Sequence, residues 1–437
     1  MKHVDTVIHA DWIITADLNN TVHQAHSVAI DAGTIQAILP AEQMSQHYRG
    51  RKEHDLKGHA VMPGLINGHT HVPMNLFRGF ADDLPLMTWL QDHIWPAEAK
   101  WVSAEFVEVG SRLAFAEMIR GGVTTCNDMY FFPEVTAKVA NDIGFRAGVG
   151  MTIIDFPSSW AENIDMYFEK GMALHEAFKE SPLIHVTLAP HAPYTVSETP
   201  LLRVKELSET LQLPINIHLQ ETAAEVDDFL DLHSVRPLQH LNKLGLLTPS
   251  LIAIHMTQLT DGEIELLAEN DVSIIHCPES NLKLASGFCP VHKLLQQNIN
   301  VGLGTDGAAS NNDLDMFGEM RTAALLSKGL VGDPASLPAE TTLRMATINN
   351  AKAMGIDAIT GSLETGKAAD LISIDLHSIE TLPLYDPVAQ IVYSVGRDRV
   401  TNVWVAGQML LKDRQLTTLS ETDLCEAVTM WQSRIKS

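Results

Sequence analysis

Residues 61–71 have the sequence VMPGLINGHTH, an apolar run that ends in two histidines. Alternate residues of a strand point to the same side, so the run predicts a buried strand that presents His69 and His71 together at its end. Seven further apolar runs follow along the chain, each succeeded by polar, glycine or proline residues. These runs are GGVTTCNDM, RAGVGMTIID, LIHVTLAPHAP, PINIHLQE, LIAIHMTQ, VSIIHCPES and VGLGTDG.

Longer amphipathic stretches separate these eight runs, and this alternation is typical of parallel β/α construction. Eight units in about 300 residues predict an α/β fold with a closed (β/α)8 barrel, whose catalytic side chains meet at the carboxyl ends of the strands. We assign residues 59–361 to this barrel. Near its end, Thr341 to Met354 predict one helix that Gly355 terminates.

The two ends of the chain follow a different pattern. Residues 1–58 alternate apolar and polar positions in short runs, and the same pattern returns from about residue 362. We therefore expect residues 1–58 plus 362–437 to form one small, discontinuous β-sandwich beside the barrel.

The composition favours a protein that acts on small molecules. The 437 residues include 30 Lys plus Arg against 54 Asp plus Glu, which gives a formal charge of −24. A protein this acidic repels nucleic-acid backbones and anionic membrane surfaces, so neither is an expected partner. Closed homo-oligomers are the usual arrangement of such proteins, and we expect one here.

The cysteines and the N-terminus indicate a cytoplasmic location. The four cysteines form no C-x-x-C pair, so a disulfide framework or a thiolate zinc site is not indicated. The first residues carry acids where a signal peptide needs an unbroken apolar stretch, and no apolar run is long enough to cross a bilayer.

Potential metal ligands stand at the ends of three predicted strands. His69 and His71 end the first, His218 ends the fifth, and Asp306 ends the eighth. An isolated H-x-H pair is weak evidence, because two histidines are often satisfied by loop backbone. Nitrogen and carboxylate ligands from three strands, without cysteine, suit a catalytic zinc ion that keeps one position open for water.

Five motifs together resemble the amidohydrolase superfamily, in its methylthioadenosine and S-adenosylhomocysteine deaminase branch. They are PGLINGHTH, HLQET with the later strand-end His255, CPESNLKL, LGTDGAASNN and GSLETGKAADLISID, and they occur in family order across nearly the whole chain. The resemblance implies that His69, His71, His218 and Asp306 bind one divalent metal ion, with zinc as the expected ion. Two-metal relatives supply a lysine from the fourth strand, and LIHVTLAPHAPY contains none.

The resemblance also implies a hydrolytic deamination mechanism in which the metal lowers the pKa of its water. Asp306 accepts the proton of that water, and Glu221 protonates a ring nitrogen of the substrate. His255 orients the water or the leaving amine. Without the resemblance, the favoured interpretation of Glu221 is a solvated acid at the start of a helix. That of His255 is a buried, hydrogen-bonded histidine in an apolar strand.

Substrate contacts are implied for four residues. Trp89 and Glu98 match an aromatic wall and a ribose-binding acid, and His191 matches a position that contacts the purine. Without the resemblance, the favoured interpretation is that Trp89 and Trp95 pack the loop onto the barrel and that Glu98 is exposed to solvent. Met151 stands where relatives that accept S-adenosylhomocysteine carry an arginine, so we expect a preference for 5'-methylthioadenosine.

The same resemblance leaves two alternatives within the family and one outside it. Guanine or cytosine-type deaminases and triazine chlorohydrolases attack a similar ring carbon, and a metal-free scaffold can share the barrel. The predicted nucleoside contacts favour the adenosine reaction, and the complete ligand set argues against a scaffold. Two features stay open: the role of His276, and whether the loop from Arg78 to Trp95 closes over the substrate.

Overall fold

The computed structural model of the chain describes residues 1–436, and in this part sixteen strands form two separate sheets. The first sheet, in chain order, consists of β1 (Lys2–Ile14), β2 (Val22–Asp31), β3 (Thr34–Pro40), β4 (Tyr48–Pro63), β13 (Leu371–Asp375), β14 (Val400–Val405), β15 (Gln408–Lys412) and β16 (Gln415–Leu416). The second consists of β5 (Leu65–Thr70), β6 (Val123–Asp128), β7 (Arg146–Ile153), β8 (Ile184–Pro190), β9 (Ile215–Leu219), β10 (Leu251–His255), β11 (Ser273–His276) and β12 (Val301–Leu303).

Most of the helices lie between the strands of the second sheet or follow them. The helices are α1 (Ala41–His47), α2 (Leu86–Thr88), α3 (Trp95–Trp101), α4 (Ala104–Arg120), α5 (Pro133–Ile143), α6 (Ile164–Phe178), α7 (Glu198–Leu211), α8 (Ala223–His233), α9 (Pro237–Lys243), α10 (Asp261–Glu269), α11 (Pro278–Lys283), α12 (Val291–Gln296), α13 (Ala308–Asn311), α14 (Met316–Val331), α15 (Ala339–Met345), α16 (Ile348–Ala353), α17 (Pro387–Tyr393) and α18 (Glu421–Ile435). Of these, α1, α17 and α18 follow strands of the first sheet. A π-helix spans Trp89–Ile94, and 3₁₀ turns span Val72–Phe77 and Arg397–Arg399. Within residues 1–436, no helix is long and apolar enough to cross a membrane.

Side-chain hydrogen bonds cap the N-termini of several helices. The Ser103 side chain accepts a hydrogen bond from the Phe106 amide at the start of α4, and Thr260 and Glu263 form a reciprocal capping box at α10. Such contacts satisfy amides that have no partner within the helix. Gly144 ends α5 with φ of +83°, a conformation that glycine adopts without strain.

The second sheet is the predicted barrel. Its strands pair in parallel in chain order from β5 to β12, and all eight correspond to the predicted apolar runs. The amide of Asp306 donates to the carbonyl of His69 at 3.0 Å, which joins the end of β12 to β5. The Asn350 side-chain amide donates to the carbonyls of Ile66 and Leu303, at 2.6 and 2.7 Å. The predicted α/β barrel is therefore confirmed.

The helix predicted over Thr341 to Met354 is two helices instead. Helix α15 ends at Met345 and α16 begins at Ile348, and Gly355 follows with φ of +69°. The break releases the Ala346 carbonyl, which accepts a hydrogen bond from the Ile66 amide at 2.8 Å. A tertiary contact thus interrupts a pattern that is locally helical, and it sets α16 where Asn350 reaches the barrel.

The terminal segments form the second unit that the sequence predicts, as one continuous sheet in the order β16-β15-β14-β13-β4-β1-β2-β3. This sheet folds over itself, because Ile8, Ile35, Leu371 and Trp404 from its two halves share one buried cluster. The division of the chain into two domains stays a prediction. Strand β4 continues through the expected boundary at residue 58, and α18 packs on α4 through Trp431 and Phe106.

One buried ion pair joins the sheet to the barrel. The Arg146 guanidinium on β7 donates to both carboxylate oxygens of Asp370, at 2.7 and 3.2 Å, and neither side chain is exposed by more than 1%. Arg146 also donates to the Pro182 carbonyl, and the Ala406 amide donates to Asp370. Each nitrogen of the guanidinium and each carboxylate oxygen therefore has a hydrogen-bond partner, which offsets part of the cost of burying two charges.

Candidate active site

Four side chains of metal-ligand type meet at the carboxyl end of the barrel. His69 belongs to β5, His71 follows it directly, His218 belongs to β9, and Asp306 lies three residues after β12. One potential ligand atom from each of them lies within 4.8 Å of every other. These residues are far apart in the sequence, and the parallel arrangement of the strands brings them together at one end of the barrel.

Backbone carbonyls orient two of the imidazole rings. His71 Nδ1 lies 2.5 Å from the Met129 carbonyl oxygen, and His218 Nδ1 lies 2.8 Å from the His191 carbonyl oxygen. A carbonyl can only accept, so each Nδ1 carries a hydrogen, and each Nε2 faces the centre of the group, where it could offer a lone pair to a bound metal ion. The Nε2 atoms of His218 and His69 are 3.1 Å apart.

This donor set fits one divalent cation. Burial lowers the pKa of His69 to about 4 and lowers that of His218 well below its usual value, which keeps both rings neutral. Burial also acts to lower the pKa of His71, but the contact with Asp306 outweighs it and raises the value to about 9, so a metal ion has to displace the proton from this ring. Neutral imidazole nitrogens and one carboxylate oxygen that converge on a buried point are the ligand set of a catalytic zinc ion. The group therefore suits a single divalent metal ion.

Asp306 is held more tightly than the other members of the group. Ser280 Oγ and Ser310 Oγ donate to its Oδ2 at 2.7 and 2.9 Å, and the Gly307 amide donates to its Oδ1 at 2.8 Å. Burial raises the pKa of this carboxyl, but hydrogen bonds with His69 and His71 outweigh burial and hold it well below its usual range. Its backbone has φ of +61°, an uncommon conformation for aspartate.

Glu221 and His255 lie beside the metal-ligand group. His255 Nε2 is 3.7 Å from Glu221 Oε2, and Ser286 Oγ donates to Glu221 Oε1 at 3.0 Å. On its other side, His255 Nδ1 donates to Asn281 Oδ1 at 2.9 Å, and the residue has φ of +74°. Burial raises the pKa of Glu221, so this carboxyl retains a proton at higher pH than an exposed glutamate.

A cavity opens from this group to the surface, and the space within it together with its open mouth amounts to about 800 Å³. Its wall includes a covering segment, residues 78–98, which contains α2, the π-helix and the start of α3. The Trp95 and Phe156 rings meet edge to face at 6.0 Å, and Phe156 is 38% exposed, so they stand at the opening. The other apolar lining residues include Leu86, Leu90, Ile94, Phe131 and Ile154, and no lysine or arginine among the described residues lines the cavity.

Three of the four predicted substrate-contacting residues line this cavity: Trp89, Glu98 and His191. The Trp89 indole donates to the Ala81 carbonyl at 3.1 Å, which fixes the ring within the covering segment. Glu98 Oε1 accepts a hydrogen bond from the Tyr130 hydroxyl at 2.7 Å. Burial raises the pKa of Glu98 to about 7. His191 Nδ1 lies 2.8 Å from Thr195 Oγ1, which orients its ring.

Met151 does not line the cavity, and this part of the prediction is corrected. Its side chain is buried against the helices, where the space above Gly171 of α6 is filled by the Met151 side chain. Side chains alternate along β7, so the neighbouring Thr152, with Ile154 after the strand, faces the cavity instead. A substrate preference therefore cannot be argued from Met151.

Several residues of the site were not predicted. Tyr130 follows β6, Asn281 and Ser280 belong to the quoted motif CPESNLKL, and Ser310 belongs to LGTDGAASNN. Their position in those motifs was the available signal, but only the fold shows which side chain each one contacts. His276 is buried at the end of β11, and its carbonyl accepts from the Gly304 amide at 3.0 Å. Its side chain is absent from the cavity wall.

Comparison with known proteins identifies the family. A sequence profile of the Amidohydrolase family matches residues 60–410, which is most of the chain. The chain belongs to the amidohydrolase family. Among the relatives of this amidohydrolase, a Saccharophagus degradans protein named 5-methylthioadenosine/S-adenosylhomocysteine deaminase is 46% identical over 433 residues, which cover 99% of this chain and 97% of the relative. A Teredinibacter turnerae protein of the same name is 46% identical over 432 residues, covering 99% and 98%. The family predicted from the motifs is confirmed.

Solved structures of other amidohydrolases share the fold. An adenosine deaminase from Xanthomonas campestris, solved with bound zinc, is 47% identical, has a TM-score of 0.98, and is matched over 100% of this chain and 99% of its own. Atrazine chlorohydrolase from Arthrobacter aurescens, complexed with zinc, has a TM-score of 0.92 at 22% identity, over 98% and 100% of the two chains. The second likeness concerns the fold alone.

Proposed function

We propose that this amidohydrolase is a zinc-dependent hydrolytic deaminase that converts a 5'-modified adenosine to the inosine product and ammonia. The observation that carries the proposal is the placement of the metal-ligand group and Glu221 at the closed end of a cavity whose wall includes Glu98. The names of the two deaminase relatives and the zinc in the Xanthomonas deaminase support it.

In this proposal His69, His71, His218 and Asp306 hold one divalent metal ion. Such an ion lowers the pKa of a bound water molecule from 15.7 to about 7 and thereby supplies a nucleophile at neutral pH. Hydrogen bonds from Ser280 and Ser310 to Oδ2 orient the Asp306 carboxylate.

Proton transfers are assigned to two side chains. Asp306 accepts the proton of the attacking water, and Glu221, whose raised pKa favours its protonated form, donates to N1 of the adenine ring. The water oxygen adds to C6, and the C6–N bond breaks as Asp306 returns its proton to the departing amine, which His255 is placed to orient. The proton of the new C6 hydroxyl passes to Glu221 as the C6 carbonyl forms. Water is consumed, ammonia leaves, and the carboxyl groups recover their starting protonation.

The rest of the substrate is assigned to the outer wall. The Glu98 carboxylate accepts hydrogen bonds from both ribose hydroxyls, Trp89 forms an aromatic wall, and His191 contacts the purine. The 5'-substituent then extends toward Trp95 and Phe156. Among the residues that the structure describes, no lysine or arginine lies on this wall, so the homocysteine carboxylate of S-adenosylhomocysteine loses hydration without compensation and 5'-methylthioadenosine is the preferred substrate.

We also propose that the enzyme works in the cytoplasm as a homo-oligomer. The acidic surface charge and the general prevalence of closed oligomers support this assignment. Light scattering of the purified protein across a tenfold concentration range checks the oligomeric state, and a single monomer mass throughout contradicts it.

A substrate panel tests the reaction. Zinc-loaded protein is incubated separately with adenosine, 5'-methylthioadenosine, S-adenosylhomocysteine, guanine, cytosine and a chlorotriazine, and ammonia, chloride and ultraviolet absorbance are followed. We expect conversion of the adenine chromophore to hypoxanthine, fastest with the methylthio compound. Ammonia from guanine or cytosine alone, or chloride from the triazine alone, would assign the site to another reaction of this family. If no compound releases ammonia or chloride, the proposed reaction is refuted and the protein is better explained as a non-catalytic scaffold.

A further inference from the structure

Tyr130 lies between the metal-ligand group and the predicted ribose site. It follows β6 in the sequence CNDMY, is 5% exposed, and its ring centroid is 6.4 Å from that of His71. Its hydroxyl donates to Glu98 Oε1 at 2.7 Å. The Tyr130 side chain therefore lies between His71 of the metal-ligand group and Glu98, the acid assigned to the ribose.

The backbone around Tyr130 is fixed from both sides. Thr152 Oγ1 on the neighbouring β7 donates to the Tyr130 carbonyl at 2.7 Å. The preceding residue, Met129, donates its amide to the Thr70 carbonyl at 3.0 Å and accepts from His71 Nδ1 at 2.5 Å. Consecutive residues thus hold His71 through Met129 and Glu98 through Tyr130, so the separation of the two sites is set by one short piece of backbone.

Glu98 is held by few side-chain contacts. It belongs to α3, at the end of the covering segment, and no lysine or arginine within residues 1–436 forms an ion pair with it. The Tyr130 hydroxyl occupies one oxygen and leaves Oε2 with free acceptor capacity. Burial raises the pKa of Glu98 to about 7, and the tyrosine hydrogen bond acts in the opposite direction by favouring the charged form.

We propose that Tyr130 is a positioning residue that aims the Glu98 carboxylate at the two ribose hydroxyls and thereby sets the affinity of the site for nucleosides. The proposal rests on the proposed function, since it takes the ligand to be a ribonucleoside. Tyr130 lines the cavity, and its hydroxyl donates to Glu98. We therefore expect it to act on binding through Glu98 and to leave the chemical step to the residues around the metal-ligand group.

The test is a comparison of sugars in the Tyr130→Phe variant of the zinc-loaded enzyme. A hydrogen bond to a charged group is worth enough that KM for adenosine should rise by about tenfold, with kcat changed less than about twofold. The same substitution should leave KM for 2',3'-dideoxyadenosine unchanged, because that substrate has no hydroxyls for Glu98 to meet. In a Glu98→Gln background, Tyr130→Phe should add little further effect on adenosine.

Two further measurements keep the outcome decisive. Tyr385→Phe, at a residue that is 89% exposed, is the matched control and should leave both substrates unchanged. Equilibrium binding of inosine and 2',3'-dideoxyinosine gives the same comparison without turnover, so a failure of deamination is separable from a failure of positioning. Equal losses for the ribo and dideoxy compounds, a fall in kcat at constant KM, or additivity with Glu98→Gln would overturn the proposal.

Discussion

The two ends of the cavity are built differently. At the inner end, defined by the metal-ligand group with Glu221 and His255, strand ends supply the side chains, and carbonyls or hydroxyls hold most of them within hydrogen-bond distance. At the outer end, defined by the covering segment with Phe156, most of the wall consists of rings and aliphatic chains that meet by packing, and the hydrogen-bonded Glu98 carboxylate is the exception. Directional contacts tolerate little displacement, whereas apolar contacts tolerate substitution better. Chemistry is thus assigned to the barrel, and the choice of 5'-substituent to the covering segment.

Removing a metal ligand should break the inner end completely. His218→Ala deletes one nitrogen of the group, so zinc content and activity should both be lost. Because the metal contributes several kcal/mol to the transition state, ammonia release should fall by at least about three orders of magnitude. Metal content by mass spectrometry and ammonia assays measure the two effects. The exposed His47→Ala is the control, and a zinc-loaded, active His218→Ala enzyme would refute the ligand assignment.

Glu221→Gln should separate proton transfer from metal binding. The amide keeps the volume and the contact with Ser286 but cannot supply the proton, so kcat should fall by about 10²- to 10⁴-fold while zinc is retained. Turnover and metal content are measured on the same preparation, with the exposed Glu206→Gln as the matched variant. Unchanged turnover would remove Glu221 from the mechanism.

Ser286→Ala probes how much the hydrogen bonds of the inner end matter. Loss of the bond to Glu221 Oε1 leaves the carboxyl without that orienting partner, and kcat should fall by about tenfold. KM should change little, since Ser286 does not line the cavity. Steady-state kinetics with 5'-methylthioadenosine measure both constants, and a rise in KM alone would place the serine in substrate binding.

Substitution at the outer end should alter selectivity more than rate. Phe156→Arg places a cation at the opening, where an exposed ion pair is worth at most about 1 kcal/mol. The ratio of kcat/KM for 5'-methylthioadenosine to that for S-adenosylhomocysteine should therefore narrow by about fivefold. Tyr385→Arg, outside the cavity, supplies the same charge as a control. An unchanged ratio would mean that the 5'-substituent does not reach Phe156.

The inner end was more predictable from the sequence than the outer end, for a physical reason. A strand fixes the direction of its side chains, so His69, His218 and the polar residue after each apolar run could be placed together without coordinates. The assignment of Met151 to the substrate site was wrong because it was taken from the resemblance. Side chains alternate along the strand, and the neighbouring Thr152 is the residue that faces the cavity.

Long-range contacts account for the remaining differences. The helical pattern breaks before Ile348 because the Ala346 carbonyl accepts a hydrogen bond from Ile66 of β5. The local sequence does not indicate this long-range contact. Helix α18 lies in a region expected to be β-sandwich, and among its residues only Trp431 is buried, so its apolar face gives a weak periodic signal. Tyr130 was missed because its partner is distant in the chain, and the contact exists only when the covering segment lies across the barrel.

The Arg146–Asp370 pair has a consequence for how this chain can be taken apart. A fragment ending at residue 361 would strand the guanidinium in an apolar interior without its carboxylate, and breaking such a pair is destabilising by about 3–5 kcal/mol. That loss is a large fraction of the net stability of an ordinary domain. The barrel is therefore not expected to be stable when it is expressed without the terminal segments. A shortened enzyme must keep both terminal segments or replace Arg146.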